Sequence, residues 1–455
     1  MKICLKLAAF LLLAPVCFQA AAWGAGLPQA AKNASPQAAP SLAQHRAEAP
    51  STPQSYKLPP QKKAEALAYS HTQYVLYFSG VALVLLVYFL LWRARIAVTF
   101  RDWARRVSPR HFVQCLVFAP LFFLTVRLLL FPFVYYADFV VEHKFGLMTQ
   151  GFGSWMADWG KSLALFLIAG TLMVWIFYRV VRRSPRRWWF YFWAVTIPIM
   201  LFLMFIEPFV VEPLFYKFTP LDATRPALVT RIEEMLHHGG LQIPRSRILE
   251  MNASSKTTTL NAYVSGLGSS KRVVVWDTTL KKMTDDETLL VLGHETGHYV
   301  LHHIIKEFVL IELVVLAFIA LGFVAVKKLI KRYGARTSLE GEGDLASLPV
   351  MLLVLTLLSF FSSPLVNGIS RHYEHQADQF ALEVTYGVVP DPNAAEARAF
   401  QILGEQDLSD PDPNPFIVFW LYSHPPLDRR IRFALNYKPW ADGQPPQFVH
   451  PGKTH

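Results

Sequence analysis

Cysteine is almost missing from this chain. Only Cys4, Cys17 and Cys115 occur in 455 residues, two of them at the extreme N-terminus and one inside an apolar run. That rules out a disulfide framework and any cysteine-based zinc site. Charge is scarce too. Asp, Glu, Lys and Arg make up 17% of the residues and hydrophobic ones 53%, with a mean hydropathy of +0.28. An ordinary soluble globular protein is excluded on that composition, so membrane spans are expected. Residues 23–70 lack nearly all aromatic and β-branched side chains and are rich in Ala, Pro, Gln and Ser. Such a stretch has too little apolar surface for a core and reads as a disordered tether. No internal repeat is evident.

Residues 1–22 have the pattern of a secretory signal peptide. Lys2 and Lys6 precede an apolar core from Leu7 to Phe18, and Ala20, Ala21 and Ala22 offer a cleavage site. An uncleaved anchor is the alternative. Four apolar stretches of spanning length follow, at about 72–92, 112–136, 161–178 and 188–210. Two more lie at about 308–326 and 348–369. The expected division is therefore a leader over 1–22, a tether over 23–70 and four spans within 71–210. A polar domain over 211–304 comes next, then two spans within 305–370, the rest of the polar domain over 371–440, and a tail over 441–455.

The formal charge of +11 could point to nucleic acid. Its distribution points to membrane topology instead, and no nucleic-acid partner is expected. Arg93 to Arg110, Arg179 to Arg187 and Lys327 to Arg336 put basic clusters in three alternate loops. The intervening loop, 137–160, has only Lys144. The positive-inside rule sets the three basic loops in the cytoplasm. The tether and the polar domain then fall outside, on the periplasmic side of a bacterial inner membrane. A cleaved leader independently predicts the same side. Arg127 and Glu312 lie within spans, where a charge faces protein or a water-filled cavity. Either a polar chamber or a structural ion pair would account for them.

The polar domain carries His294-Glu295-Thr296-Gly297-His298. On a helix, positions i and i+4 share a face, so His294 and His298 can hold one metal ion. Zinc is the expected ion, one per chain, with a third protein ligand and an open position for water. Glu295 is placed to act on that water as the base. Thr284-Asp285-Asp286-Glu287 just upstream reads as a capping box, which predicts the helix independently. A third ligand is needed. Glu374 and Asp378, one helical turn apart after the last span, suit that ligand and a partner for a ligand histidine's other N–H. A charged helix face outside the bilayer is the alternative, and His372 and His375 are rival ligands. His424, on the Ser423-His424-Pro425-Pro426-Leu427 turn, could stabilise an oxyanion. Thr257 to Val264 and Lys271 to Trp276 read as two strands of a hairpin closed by Gly266 to Ser270. An edge strand there could hold an extended peptide, with Asn261 adding a contact. An ordinary structural hairpin is the alternative.

These motifs, together with Glu142 to Gly146, Glu212 to Phe215, Lys217 to Leu221, Asp277 to Leu280, His303, Ser370-Arg371 and Arg430, fall in the order seen in type I CAAX prenyl endopeptidases. The chain resembles that family over about residues 75–435, as a bacterial-type member. The resemblance implies a mainly α, polytopic integral membrane protein with about six transmembrane helices and a small α+β zincin-like metallopeptidase domain. It implies zinc ligands at His294, His298 and Glu374, Glu295 as base, and Asp378 behind the ligands. It places His424 and Asn261 near a peptide or protein substrate that is lipidated or membrane-associated. Two features depart from the family. Its members usually have seven spans, and their site faces the cytosol. A membrane quality-control metalloprotease is a rival reading, and a metal-binding transporter or scaffold without protease activity is another.

Overall fold

The computed structural model describes residues 51–266 and 270–449. The expected leader, with most of the tether, lies outside the described residues. Among the described residues, six helices are long and apolar enough to cross a membrane: Pro60–Arg93, His111–Lys144, Phe152–Arg183, Trp188–Leu214, His303–Thr337 and Leu345–Thr385. They contain all six expected spans. Each runs well past its apolar window, because hydropathy registers only the stretch that needs lipid, while the helix continues where its flank packs on protein. We number the helices α1 (Pro60–Arg93), α2 (Ile96–Val107), α3 (His111–Tyr135), α4 (Phe152–Arg183) and α5 (Trp188–Ile206). The polar domain adds α6 (Pro226–His238), α7 (Asp277–Lys282) and α8 (Asp285–Val300), after which α9 (His303–Thr337) and α10 (Leu348–Thr385) return to the membrane. Helices α11 (Pro392–Gln406), α12 (Pro415–Leu421) and α13 (Leu427–Asn436) complete the domain.

A small sheet supports the domain. Strands β1 (Phe218–Pro220), β2 (Ile248–Met251), β3 (Ala262–Ser265) and β4 (Arg272–Trp276) lie in the order β1-β2-β4-β3. β1 and β3 run antiparallel to their neighbours, and β2 is parallel to β4. The expected hairpin forms, with Ala262 opposite Val275, but its first strand starts at Ala262 rather than Thr257. Residues 257–261 are instead tied down by local bonds such as Thr259 N–H to Thr257 Oγ1. Such Thr side-chain bonds compete with ladder pairing. β3 and β1 are the two edge strands.

The three basic loops meet at one end of the bundle. Arg101 bonds Asp344 at 2.6 Å, Arg95 donates to the Arg336 carbonyl, and Trp188 donates to Glu342. The polar domain sits at the other end, where Thr149 joins Ser254 and the Lys256 carbonyl. From Leu348 to Glu374, α10 rises roughly 39 Å at about 1.5 Å per residue. That one helix links the two ends. Arg127 and Glu312 form no ion pair with each other among the described residues, and the Arg127 guanidinium lies 4.3 Å from the Phe166 ring centre.

One expectation is corrected. The tether does not extend to residue 70. Helix α1 begins at Pro60, and Tyr56 is buried against Ala397, Phe400, Ile431 and Ala434. A composition average dominated by Ala, Pro and Gln hides this single aromatic anchor. The expected tail, 441–455, is tied to the domain over its described part. The N–H groups of Gln447, Phe448 and Val449 donate to the buried carboxylate of Glu383, and Phe448 and Val449 pack on the domain core.

Candidate active site

Helix α8 starts where the capping box predicts. The Thr284 side chain accepts from the Glu287 N–H, and the Glu287 carboxylate accepts from the Thr284 N–H. Such a cap stabilises by about 1 kcal/mol. Leu289, Leu290 and Leu292 are fully buried in the domain core, each contributing about 1.5–3 kcal/mol relative to exposure. The opposite requirement, close approach to α10, falls to two glycines. A Cβ at Gly297 would meet Phe380 at 3.0 Å, and one at Gly293 would meet Val384 at 3.2 Å and the Ala381 backbone at 3.3 Å. The helices can therefore touch backbone to side chain, and Glu374 comes level with the histidines.

His294, His298 and Glu374 form a compact group whose candidate ligand atoms lie within 4.8 Å of one another. The Nε2 atoms of the two histidines are 3.2 Å apart. Glu374 Oε2 lies 3.2 Å from His294 Nε2, and its Oε1 lies 3.7 Å from His298 Nε2. Ligands about 2.0–2.1 Å from a tetrahedral zinc stand roughly 3.3 Å apart. The donor set and its spacing therefore fit zinc. Glu374 is buried, where an ionised carboxylate needs a cation in front of it.

The outer nitrogens of both histidines are engaged by other side chains, which leaves the inner ones to face a metal. His294 Nδ1–H donates to Asp378 Oδ1 at 2.8 Å. Asp378 is gripped by Arg430, whose Nη2 and Nε donate to Oδ1 at 2.5 Å and Oδ2 at 2.9 Å. His298 is held through a longer relay. Gln376 Oε1 accepts from His303 Nε2 at 3.0 Å. His303 Nδ1 is then an acceptor, and it takes the His298 Nδ1–H at 3.3 Å. His303 is wholly buried and stacks on Tyr373 with ring centres 4.6 Å apart. Such partners orient a ligand ring and raise its basicity.

His424 Nε2 approaches Glu374 Oε2 at 3.0 Å, and its Nδ1 meets Ser423 Oγ at 3.0 Å. Glu295 is partly exposed and makes no hydrogen bond or ion pair among the described residues, so its carboxylate is uncommitted. Asn261 directly precedes edge strand β3. Its backbone is fixed by Thr279 and Trp276, and its side chain makes no hydrogen bond among the described residues. His372 and His375 are exposed and stand outside the group, His375 lying against Phe433. The relay through Gln376 and the Arg430 clamp were not read from sequence. His303 and Arg430 stood in the motifs without a role, and Gln376 carried no signal. Glu396, buried on α11, was also missed. Burial, and then the Asp378 charge, hold its carboxyl well above the usual carboxylate range.

Helices that span a membrane, with a two-histidine, one-glutamate site at one end, define a membrane-embedded metalloprotease. The family model for Peptidase family M48 matches residues 222–438, and that for the CAAX prenyl protease N-terminal region, described as five membrane helices, matches residues 41–217. An uncharacterized metalloprotease of Bacillus subtilis, YhfN, is 36% identical over 375 residues, which cover 82% of this chain and 86% of that protein. A CAAX prenyl protease 1 homolog of Oryza sativa subsp. japonica is 30% identical, over 66% of this chain and 68% of its own length. The chain belongs to Peptidase family M48, whose members are zinc-dependent. The crystal structure of S. mikatae Ste24p shares the fold, with a TM-score of 0.71 over 95% of this chain and 99% of that one, at 24% identity.

Proposed function

We propose that this protein is a zinc metalloendopeptidase that cuts extended segments of lipidated or membrane-associated polypeptides on the exoplasmic, periplasmic face of a bacterial inner membrane. The observation that carries this reading is the near-tetrahedral spacing of His294, His298 and Glu374, with each histidine's outer nitrogen locked. Zinc held by these three residues supplies a water of lowered pKa and a Lewis-acid contact for the scissile carbonyl. Glu295, free of other partners, takes the proton from the attacking water and hands it to the leaving amine nitrogen. His424, fixed by Ser423, donates from Nε2 to the oxyanion. The open side of β3 pairs with the substrate backbone, and Asn261 adds a side-chain contact. Asp378 keeps His294 in the right tautomer.

The plant relative is named a CAAX prenyl protease, and the peptide chemistry carries over. The prenylated cytosolic C-terminus does not, because the clustered basic loops lie at the end of the bundle away from this site.

The test is Glu295→Gln. The variant should keep one zinc per chain and lose peptide cleavage by roughly 10²–10⁴-fold. Cleavage at the wild-type rate would remove Glu295 from the base role, and activity insensitive to a chelator would remove zinc. A membrane proteome of cells carrying the variant should then accumulate the uncut substrates.

A further inference from the structure

At the end of the bundle away from the peptidase domain, a cavity of about 310 Å³ opens among α2, the start of α3, the end of α4 and the 338–345 loop. Arg101, Arg105 and Arg182 line it, with Glu340 and Asp344. The two carboxylates are already committed. Asp344 Oδ2 accepts from Arg101 Nη1 at 2.6 Å and from the Glu340 N–H at 3.0 Å, while its Oδ1 accepts from the Ala346 N–H at 3.0 Å. Glu340 is held by both terminal nitrogens of Arg105. Arg101 is also paired with Asp102, outside the lining, at 2.9 Å, so Arg101 and Arg105 are fully engaged. Arg182, by contrast, is exposed and has no carboxylate within ion-pair distance among the described residues. Gly341, also in the wall, has nothing within 4 Å of where a Cβ would stand, so the space beside it is open.

The helices that wall this cavity also carry apolar side chains outside its lining. Trp103 and Val107 on α2 and Phe112 on α3 are large and exposed. Helix α2 turns Ala97, Arg101 and Ala104 inward while Trp103 faces out. A tryptophan at the end of a spanning bundle sits at the headgroup level of the bilayer. A hollow with one uncompensated guanidinium, on helices whose other faces are apolar and exposed, is matched by a ligand that is anionic at its head and apolar behind it. Basic pockets between spans on the cytoplasmic side are suited to such headgroups.

We propose that this cavity binds the phosphate of an anionic phospholipid, with Arg182 as the principal contact, in the leaflet that holds the basic loops. The site is separate from the zinc centre and does not depend on the peptidase reading.

The test uses the full-length protein in neutral detergent, titrated with short-chain phosphatidylglycerol or phosphatidylcholine and read by native mass spectrometry. Phosphatidylglycerol should bind about tenfold more tightly than phosphatidylcholine. Arg182→Gln should weaken phosphatidylglycerol about fivefold and leave zinc content unchanged. Arg182→Lys, which keeps the charge, should restore part of the loss. Equal affinity for the two lipids, or undiminished phosphatidylglycerol binding by Arg182→Gln, would overturn the proposal. Inorganic phosphate serves as competitor. Displacement of the lipid at concentrations near the lipid's own would make this a site for a free anion, and would overturn it as well.

Discussion

Replacing Asp378 by asparagine tests the tightest part of the metal site. The wild-type carboxylate accepts three bonds, from His294 Nδ1–H, Arg430 Nη2 and Arg430 Nε. An amide of the same shape offers one oxygen, and its NH₂ faces a donor. Two costs follow. With its ring less firmly held and less basic, His294 should bind zinc about 10–100-fold more weakly, or about 1.4–2.8 kcal/mol. The metal-free protein also loses the partner of a buried guanidinium, which costs about 3–5 kcal/mol. Glu396 moderates that second term. Its carboxylate oxygens have no hydrogen-bond partner, and its pKa is held up by burial first and by the Asp378 charge second. With that charge gone, Glu396 can ionise and balance Arg430, so the expected loss lies near the lower end, about 3 kcal/mol. Competition with a fluorescent chelator at fixed pH measures the first term, and denaturation of the metal-free protein measures the second. Zinc affinity within twofold of wild type, with unchanged metal-free stability, would refute the reasoning.

Two further outcomes are expected. His303→Ala breaks the relay from Gln376 to His298 and should lower zinc affinity about tenfold; wild-type affinity in that variant would show that His298 needs no such support. The third concerns pH. Burial pulls the His294 pKa down, but hydrogen bonds to Asp378 and Glu374 outweigh it and push the metal-free value up to about 9. Zinc uptake below that pH must expel this proton, so affinity should strengthen from about pH 6.5 to 9 and then level off. The metal-free protein should move the other way. Stability from the bound proton is complete below the unfolded pKa of about 6.5 and is lost as pH rises through about 9. Calorimetry at pH 7.5 in two buffers of different ionisation heat counts the protons released, and a count of zero from His294 would contradict the assignment.

Much of the architecture was legible because its signals are local. Each span announces itself within a window of about 20 residues. The capping box needs four consecutive residues, and it formed at Thr284 and Glu287 as read. The strand beginning at Thr257 was overread, since β-propensity there lost to side-chain bonds among threonines. The anchors at Tyr56 and at Phe448 and Val449 were invisible for another reason. Each depends on a partner hundreds or tens of residues away, and neither leaves a periodic trace.

The sequence by itself determined the donor types, the helix that pairs His294 with His298, the number of apolar spans and the alternation of basic loops. Each of these follows from side-chain chemistry at short, regular spacing. Only the tertiary structure decided that Glu374 stands beside those histidines while His372 and His375 stay outside. His294 and Asp378 are 84 positions apart in the chain. What joins them is the close packing of α8 on α10 at Gly293 and Gly297, and no local pattern encodes which helix will fill that space. The same holds for the Arg430 clamp, the His303 relay and the meeting of three basic loops at one end. They are contacts between distant segments, and packing selects them only once the whole bundle has closed.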